Sequence, residues 1–175
     1  MESLTKAQIL ALLGAAKANR ERDWLMILVA FSHGLRASEV IAIRRDAIND
    51  GYLTVRRLKG SNRTVQPLIE NDNPLLNERK GLIEFADKSS GNQFLFRVTR
   101  QHFWRLLQRY GKAAGIPAHL SHPHVLKHSI AMQTIESAGI ENVRQYLGHK
   151  SMSSTGEYLK VNDAEASAAI SAATK

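Results

Sequence analysis

The sequence predicts an α+β fold that is mostly α-helical and contains a small antiparallel β-sheet. Three observations support this prediction. Apolar residues recur at helical spacing in most segments of the chain, one internal stretch has the pattern of a β-hairpin, and glycine follows several of the helical patterns. The chain has 175 residues, of which 43% are hydrophobic, so it is long enough and apolar enough to bury one core.

The first third of the chain predicts three helices. The first begins at an N-cap, Ser3 or Thr5, and carries apolar residues as far as Ala16. The second spans "RDWLMILVAFSHG" and ends at Gly34, because glycine is favoured directly after a helix. A short third helix lies in "LRASEVIAI" and begins at Ser38 or in the turn before it.

A β-hairpin is predicted in "GYLTVRRLKGSNRTVQPLI". Residues 52–58 and 63–68 are rich in β-prone side chains, and the turn residues Gly-Ser-Asn at positions 60–62 separate them. Pro67 lacks a backbone N–H, so the second strand is an edge strand or ends at this residue.

Helices are expected after the hairpin as well. The stretch "PLLNERKGLIEFAD" predicts a helix with Pro74 in its first turn, and "QFLFR" is a candidate short strand. A further helix is capped by Thr99. Its apolar face consists of Phe103, Leu106, Leu107 and Tyr110.

The last third is predicted to be helical again. Residues 122–138 form a helix that ends at Gly139, and residues 141–148 form one that ends at Gly148. The stretch "SMSSTGEYLK" is a short helix or a turn. Residues 163–175 form an alanine-rich terminal helix, whose small apolar face is suited to docking.

The charge of the chain points to a class of partner. Twenty-four lysine and arginine residues against sixteen acidic residues give a formal net charge of +8 at pH 7. This balance favours a polyanion, most often nucleic acid, although a basic soluble protein without such a partner has the same composition.

The absence of cysteine from the sequence excludes disulfides, cysteine nucleophiles and thiolate metal sites. We find no membrane-length apolar run and no signal peptide, so a cytoplasmic location is expected.

The stretch "HPHVLKH" at residues 122–128 contains an unusual density of histidine. On a helix, His124 and His128 lie four residues apart and share a face, as zinc ligands can. A zinc helix of this kind also needs a glutamate after the first histidine, where this chain has valine. We therefore predict no metal site. Incidental histidines on a core helix, or half of a site for an anion, are the two remaining interpretations.

Other polar residues stand at the predicted ends of elements, where side chains can converge on a ligand. Arg36 follows a helix-ending glycine and has Glu39 three residues later, Lys59 lies beside the hairpin turn, and His149 follows Gly148. Tyr158 comes nine residues after His149. Each of these residues alone has an ordinary explanation, such as a solvated charge or a packed aromatic ring.

Taken together and in this order, these residues resemble the motifs of the tyrosine recombinase (phage integrase) family. Those motifs are an arginine after Gly-Leu with an acid three residues on, a hairpin lysine, "HxLRH", "LGH" and a late tyrosine. The resemblance covers about residues 3–162, and "LGHKSMSSTGEY" matches without a gap. Lys127 stands where the family has its second arginine. The family's N-terminal DNA-binding domain has no counterpart, so residues 1–175 are expected to be a single catalytic domain.

The resemblance implies an enzyme that cleaves and rejoins DNA without a metal, ATP or any other cofactor. Tyr158 would attack a backbone phosphate, form a 3′-phosphotyrosyl link and release a 5′-hydroxyl. Lys59 would protonate the departing 5′-oxygen as general acid. The biological setting would be site-specific recombination or DNA integration, as in mobile elements.

The remaining site residues receive supporting roles from the same resemblance. Arg36 and Lys127 would supply positive charge to the non-bridging oxygens, and His124 and His149 would donate hydrogen bonds to them. His124 is also a candidate for deprotonating the tyrosine. Glu39 would hold Arg36 in place. Lysine lacks the planar fork of arginine, so Lys127 is expected to give a working but differently tuned site.

The partners implied are double-stranded DNA and further copies of the chain on that DNA, in a cytoplasmic, nucleoid-associated setting. Residues 163–175 would dock on a neighbouring copy or fold back on their own domain. The alternatives to a recombinase are a non-catalytic DNA-binding module on the same fold and a topoisomerase-like enzyme. The candidates for contacts with DNA phosphates are Arg56, Arg57, Arg63, Arg97, Arg100, Lys112 and Lys150.

Overall fold

The computed structural model of the protein describes residues 2–57, 62–88, 93–150 and Thr155. The helices in this part of the chain are α1 (Lys6–Asn19), α2 (Glu21–Ser32), α3 (Ala37–Ile41), α4 (Arg79–Asp87), α5 (Arg100–Ala113), α6 (Pro123–Ala138) and α7 (Ile140–Tyr146). The strands are β1 (Ile48–Asn49), β2 (Tyr52–Val55) and β3 (Thr64–Pro67). The predicted fold class, mostly α-helical with a small antiparallel sheet, is confirmed.

Helix α2 lies at the centre of the fold, and α1 packs against it. The hydroxyl of Thr5 accepts a hydrogen bond from the backbone N–H of Gln8, and the Gln8 side chain accepts one from the N–H of Thr5. This reciprocal capping box starts α1 at the predicted position. All side chains of α2 from Asp23 to Ser32 are buried. A helix that is apolar on nearly every face is stable only when other elements surround it, as they do here.

The described part of the sheet has the strand order β1-β2-β3, with both pairs antiparallel. The predicted hairpin is therefore confirmed, and β3 is an edge strand that ends at Pro67. Strand β1 was not predicted. Asp50 and Gly51 both have positive φ values, 50° and 78°, as in the tight turns that match the twist of paired strands. The Asp-Gly pair was the sequence signal for this extra strand.

The start of α4 differs from the prediction. The helix begins at Arg79, and Pro74 lies in a turn that precedes it. The side-chain oxygens of Asn71 and Asn73 accept hydrogen bonds, at 2.9 and 3.0 Å, from the backbone N–H groups of Asn73 and Leu75. These local bonds hold the backbone in turns and keep it from entering the helix earlier.

Helices α5, α6 and α7 follow their predicted positions more closely. Thr99 caps α5, and the predicted apolar face of α5 is buried. Helix α6 has Pro123 at its start and ends at Gly139, whose φ is 79°. The stretch "QFLFR" makes a single bridge, between Arg44 and Phe94, and no longer strand. The predicted terminal helix at residues 163–175 lies outside the described residues.

Two clusters of buried side chains hold these elements together. The larger one takes residues from α1 to α6 and from the sheet. The smaller one consists of Ala131, Ile135, Val143 and Leu147 and joins α6 to α7. Ile130 packs against both clusters, so the end of α7 is tied to the main core. Among the residues that the structure describes, no helix has the length and apolar character needed to cross a membrane.

Candidate active site

Arg36 lies in the turn between α2 and α3. The turn is made possible by Gly34, whose φ of 58° is unfavourable for residues with a side chain. A β-carbon at this position would also collide with the side chain of Leu147. Leu35 is fully buried and anchors the turn, and Arg36 is the N-cap residue of α3.

Glu39 holds Arg36 in two ways. One carboxylate oxygen accepts a hydrogen bond from the Arg36 guanidinium at 3.1 Å, and the other accepts one from the Arg36 backbone N–H at 2.8 Å. The side chain of Glu39 has no exposed surface, whereas that of Arg36 is 30% exposed. The arginine is therefore fixed at its base and still able to reach a ligand.

Lys127 is buried on α6. Its residue surface is 4% exposed, and its ammonium donates a long hydrogen bond of 3.5 Å to the carbonyl oxygen of Leu147. Burial, followed by the charges of Arg36 and Arg57, lowers the pKa of Lys127 from 10.5 to about 7, while Glu39 opposes the shift. A buried ammonium close to two guanidinium groups is stabilised by any anion that enters the site.

His149 follows α7, directly after Gly148. Its Nδ1 lies 3.0 Å from the hydroxyl oxygen of Thr155, which is buried. Burial, then the charges of Lys127 and Arg36, lowers the pKa of His149 to about 4. The ring is therefore neutral at pH 7 and carries one N–H, which it can donate.

His124 lies on the exposed side of the first turn of α6, and its ring stacks on that of His128 with centroids 6.4 Å apart. Desolvation of the ring, then the charges of His122 and Arg36, lowers the pKa of His124. A neutral imidazole can accept a proton from a nearby hydroxyl. His124 is thus able to act as a base or as a hydrogen-bond donor.

The structure brings four of the predicted catalytic side chains into one region. Arg36 and Lys127 both act electrostatically on His124 and on His149, and Arg36 acts on Lys127. These residues come from the α2–α3 turn, from α6 and from the segment after α7. The other two predicted catalytic residues, Lys59 and Tyr158, lie outside the described residues.

Two open grooves flank the Arg36–Glu39 pair. The first has a volume of about 490 Å³ and is lined by Glu39 together with Arg44, Arg56, Arg63 and Phe94. The second has a volume of about 660 Å³ and is lined by Arg36 and His124 together with Arg100, Gln101 and Trp104. The pair therefore stands where two basic grooves meet.

The residues predicted to contact DNA fall into two groups. Those with exposed side chains are Arg56, Arg63, Arg97, Arg100, Lys112 and Lys150. Arg57 differs, and here the prediction was wrong. Its side chain has no exposed surface and is enclosed by hydrogen-bond acceptors from the α2–α3 turn, α3, β3 and α7. Burial lowers its pKa, while Glu39 opposes the shift. A guanidinium in this position cannot reach a phosphate of a duplex.

Three basic or aromatic residues that line the grooves were missed from sequence. Trp104 is 48% exposed on α5, and its position off the helix's apolar face was a signal that it points outward. The guanidinium of Arg44 lies 4.2 Å from the ring centre of Phe94. No sequence pattern indicates that pair, because its members are fifty residues apart and meet through tertiary structure.

The histidine-rich start of α6 does not assemble a metal site within the described residues. In that part of the chain there is no group of three or more histidine, aspartate or glutamate side chains that could hold a metal ion. His124 instead lines the groove that contains Arg36, and the ring of His128 stacks on it.

Comparison with known proteins identifies relatives of the chain. Residues 2–165 match the model of the phage integrase family. The chain is 30% identical over 167 residues to tyrosine recombinase XerA of Thermococcus kodakarensis, covering 91% of this chain and 58% of the relative. It is 28% identical over 172 residues to the type 1 fimbriae regulatory protein FimE of Escherichia coli, covering 92% of this chain and 86% of the relative.

The fold is shared with a solved structure. The crystal structure of XerA recombinase superposes with a TM-score of 0.77 at 22% identity, over 100% of this chain and 66% of that one. The chain therefore spans somewhat more than half the length of its XerA relatives. The match to the family model extends from α1 past the segment that carries His149. On these grounds the chain belongs to the phage integrase family.

Proposed function

We propose that the protein is a site-specific DNA recombinase of the integrase type, which cleaves and rejoins DNA through a covalent bond to Tyr158. The observation that carries this proposal is the charge around Glu39. The cations Arg36, Arg57 and Lys127 lie around this one carboxylate, and Arg36 and Glu39 each line one of two basic grooves. Such a region favours a further anion, and a phosphate of a nucleic-acid strand fits both the charge and the grooves.

The described side chains have the chemistry to stabilise a phosphate that gains charge during reaction. Arg36 can donate two parallel hydrogen bonds, and Lys127 can add a point charge. His149, neutral at pH 7, has one N–H that it can donate to such a phosphate. Donors fixed before the reaction are effective because they need no reorganisation when the charge develops.

The cleavage step involves two residues outside the described part of the chain. The phenol oxygen of Tyr158 bonds to phosphorus, and the bond from phosphorus to the 5′-oxygen breaks. The phenol proton passes to neutral His124, and Lys59 supplies a proton to the departing 5′-oxygen. Attack by that 5′-hydroxyl on the phosphotyrosyl link reverses each transfer, so rejoining needs no external energy source.

Double-stranded DNA is the proposed partner. The grooves on either side of Arg36 carry Arg44, Arg56, Arg63 and Arg100, and the whole chain has a net charge of +8. Lambda integrase, which shares the fold, has been solved bound to DNA. We expect weak binding whose affinity falls steeply with salt, because each neutralised phosphate releases counterions. This partner implies action in the cytoplasm on nucleoid DNA.

Assembly of several copies on DNA is part of the proposal, with residues 1–175 as the catalytic unit. A lambda integrase tetramer has been solved on a Holliday junction. The described structure offers a third groove, of about 270 Å³, between α6 and α7. It is mostly apolar and includes Ile69, Ile130, Thr134, Ala138 and Val143. The small apolar face of residues 163–175 from a neighbouring copy would suit it. Docking of that segment on its own domain is the alternative.

A suicide DNA substrate, nicked beside the cleavage site, tests the proposal. Loss of the short fragment after cleavage prevents rejoining, so the wild-type protein should accumulate a covalent complex that survives denaturing electrophoresis. The Tyr158→Phe variant should bind the same DNA and form no such complex.

The replacement of the family's arginine by Lys127 supports one rival, a DNA-binding protein that has lost catalysis. In that case wild type would bind DNA as tightly as Tyr158→Phe and trap nothing on any substrate. The recombinase proposal would then be abandoned.

A further inference from the structure

Arg57 makes an unusually complete set of hydrogen bonds. Its Nε donates to the hydroxyl of Thr64 at 3.2 Å. One terminal nitrogen donates to the Gly34 carbonyl at 3.1 Å and to the Glu39 carboxylate at 3.3 Å. The other donates to the carbonyls of His33 and Tyr146, both at 3.1 Å. All five N–H groups of the guanidinium are thereby used.

The acceptors belong to the segments that carry the candidate catalytic residues. His33 and Gly34 precede Arg36, and Glu39 holds Arg36 directly. Tyr146 lies three residues before His149, and Thr64 pairs with Val55 across the hairpin. One buried side chain thus joins the α2–α3 turn, the hairpin and the end of α7.

Arg57 and Asn62, which lie on either side of the segment that contains Lys59, both form hydrogen bonds to residues 146–148. Arg57 lies two residues before Lys59 and is held through its side chain. On the other flank, the backbone N–H of Asn62 donates to the Gly148 carbonyl at 2.9 Å. Arg57 and Asn62, which border the turn of the hairpin, are therefore anchored on the stretch that leads into His149.

A second buried network makes this support rigid. The Gln66 side chain donates to the Tyr146 carbonyl at 2.7 Å, so its oxygen faces His33 Nδ1 at 2.6 Å. The other ring nitrogen of His33 lies 2.6 Å from the Glu78 carboxylate. The side chains of His33 and Glu78 have no exposed surface. The carbonyl that receives Arg57 is thus held from a second direction by strand β3.

We propose that Arg57 is a positioning residue for the cleavage step, which anchors the chain two residues before the proposed general acid Lys59 to the α2–α3 turn and to the end of α7. This inference rests on the proposed recombinase function and assigns Arg57 a role that neither DNA contact nor simple core packing provides. Lysine cannot replace it, because an ammonium has three donors and no planar fork to reach five acceptors on different segments.

The test separates positioning of Lys59 from general damage by changing the leaving group. In one substrate the scissile 5′-oxygen is kept, and in a second it is replaced by sulfur. A thiolate leaves without protonation, so cleavage of the sulfur substrate does not need the general acid. Single-turnover rates of covalent complex formation are measured at saturating DNA for wild type, Arg57→Lys and Tyr158→Phe.

The Arg57→Lys variant should cleave the oxygen substrate at least about tenfold more slowly than wild type, a smaller loss than the roughly 10²–10⁴-fold expected when a general acid is removed altogether. Its rate on the sulfur substrate should fall by a clearly smaller factor, because only the oxygen substrate needs the general acid. Adding Arg57→Lys to a Lys59→Met variant should slow the oxygen substrate by no more than Arg57→Lys alone slows the sulfur substrate. Arg56→Gln, which changes an exposed neighbour, should weaken DNA binding and leave the ratio of the two rates unchanged.

Equal slowing of Arg57→Lys on both substrates, or no slowing on either, would overturn the inference and leave the recombinase proposal intact. Failure of wild type to cleave either substrate would overturn both the inference about Arg57 and the recombinase proposal. If circular dichroism shows that Arg57→Lys is unfolded, Thr64→Val replaces it. That variant keeps the shape of the side chain and removes one acceptor, and it should show the same selective loss at smaller size, whereas equal loss on both substrates overturns the inference.

Discussion

Lys127 is buried beside Arg36 and Arg57, and its pKa falls to about 7 as a result. An arginine at the same position would keep its charge at every pH used in practice. Because lysine stands here in place of the family's arginine, the charge of the site changes with pH near neutrality, which a guanidinium would prevent. The direction of that dependence follows from which form of Lys127 binds phosphate, namely the protonated one.

We predict that the cleavage rate at low DNA concentration falls as pH rises through about 7, because free Lys127 loses its proton there. The Lys127→Arg variant should lack this fall up to about pH 9. The measurement is the second-order rate of covalent complex formation on the nicked substrate as a function of pH. An unchanged fall in the arginine variant would assign the titration to another group.

Lys127 should also lower the stability of the fold near neutral pH. Its folded pKa lies below its unfolded value of 10.5, so the unfolded chain binds more protons between about pH 7 and 10.5. The stability that depends on Lys127 is thus greatest above pH 10.5 and is lost as pH falls toward 7.

The Lys127→Met variant should therefore unfold with a free energy about 1–3 kcal/mol higher than wild type at pH 7, and the gain should shrink toward pH 10. Urea unfolding at several pH values measures this. A methionine variant less stable than wild type at pH 7 would show that the ammonium is well satisfied by its surroundings. Inactivity of the stabilised variant is expected, since the charge that it loses is the one the phosphate needs.

At the scale of elements, the contact between the hairpin and the end of α7 depends on Gly148. Its φ is 69°, and a β-carbon there would lie 2.9 Å from the Asn62 carbonyl oxygen and 3.2 Å from Cγ of Arg57. Gly115 has nearly the same φ, 70°, with no atom within 4 Å of such a carbon among the described residues. The two glycines thus share the backbone requirement and differ in what surrounds them.

We predict that Gly115→Ala costs about 1 kcal/mol of stability and that Gly148→Ala costs at least about 1 kcal/mol more, owing to the close contact. Thermal unfolding of both variants provides the comparison. Gly148→Ala should also slow cleavage of the oxygen substrate, because Asn62 and Arg57 of the hairpin must move away from the added carbon. Equal costs for both variants would mean that the hairpin yields easily at this point.

Periodic elements could be read from the sequence, whereas elements set by a few side-chain contacts could not. Helix α5 was predicted from Thr99 and its apolar face, and α6 from its flanking residues. The start of α4 was misplaced because the Asn71 and Asn73 side chains capture backbone N–H groups. Strand β1 has two residues, too few for a period, although its Asp-Gly turn was visible.

The candidate site shows the same division. Arg36, His124 and His149 stand in short local motifs, and the resemblance of these motifs, in their order, to those of the family implied that the three residues meet. The burial of Arg57 was beyond such reasoning, because its acceptors come from positions 33, 34, 39, 64 and 146. Only the folded chain brings these groups around one guanidinium.

At the scale of the whole molecule, the apolar groove between α6 and α7 is the proposed docking site for residues 163–175 of a neighbouring copy. Ala138 lines this groove, whereas Met132 is exposed on the same helix without lining it. Arginine at either position adds the same charge to α6. The two variants therefore differ in whether the groove is obstructed.

We predict that Ala138→Arg weakens assembly of the protein on DNA and that Met132→Arg does not. Sedimentation of the protein–DNA complex measures the number of copies bound, and thermal unfolding of the free protein checks that both variants fold. Deletion of residues 163–175 should reproduce the effect of Ala138→Arg. Assembly that survives both changes would mean that copies meet through another surface.

The central claim is that Tyr158 becomes linked to a DNA phosphate that stays on the 3′-oxygen of the cleaved strand and is bound by Arg36 and Lys127. Tryptic digestion of the trapped complex, followed by mass spectrometry, tests it most directly. The account predicts a nucleotide on the peptide of residues 151–160, attached to Tyr158, and a released strand whose 5′-hydroxyl accepts phosphate from a kinase without prior dephosphorylation. A nucleotide on any other residue, or a released strand that already carries a 5′-phosphate, would contradict the account.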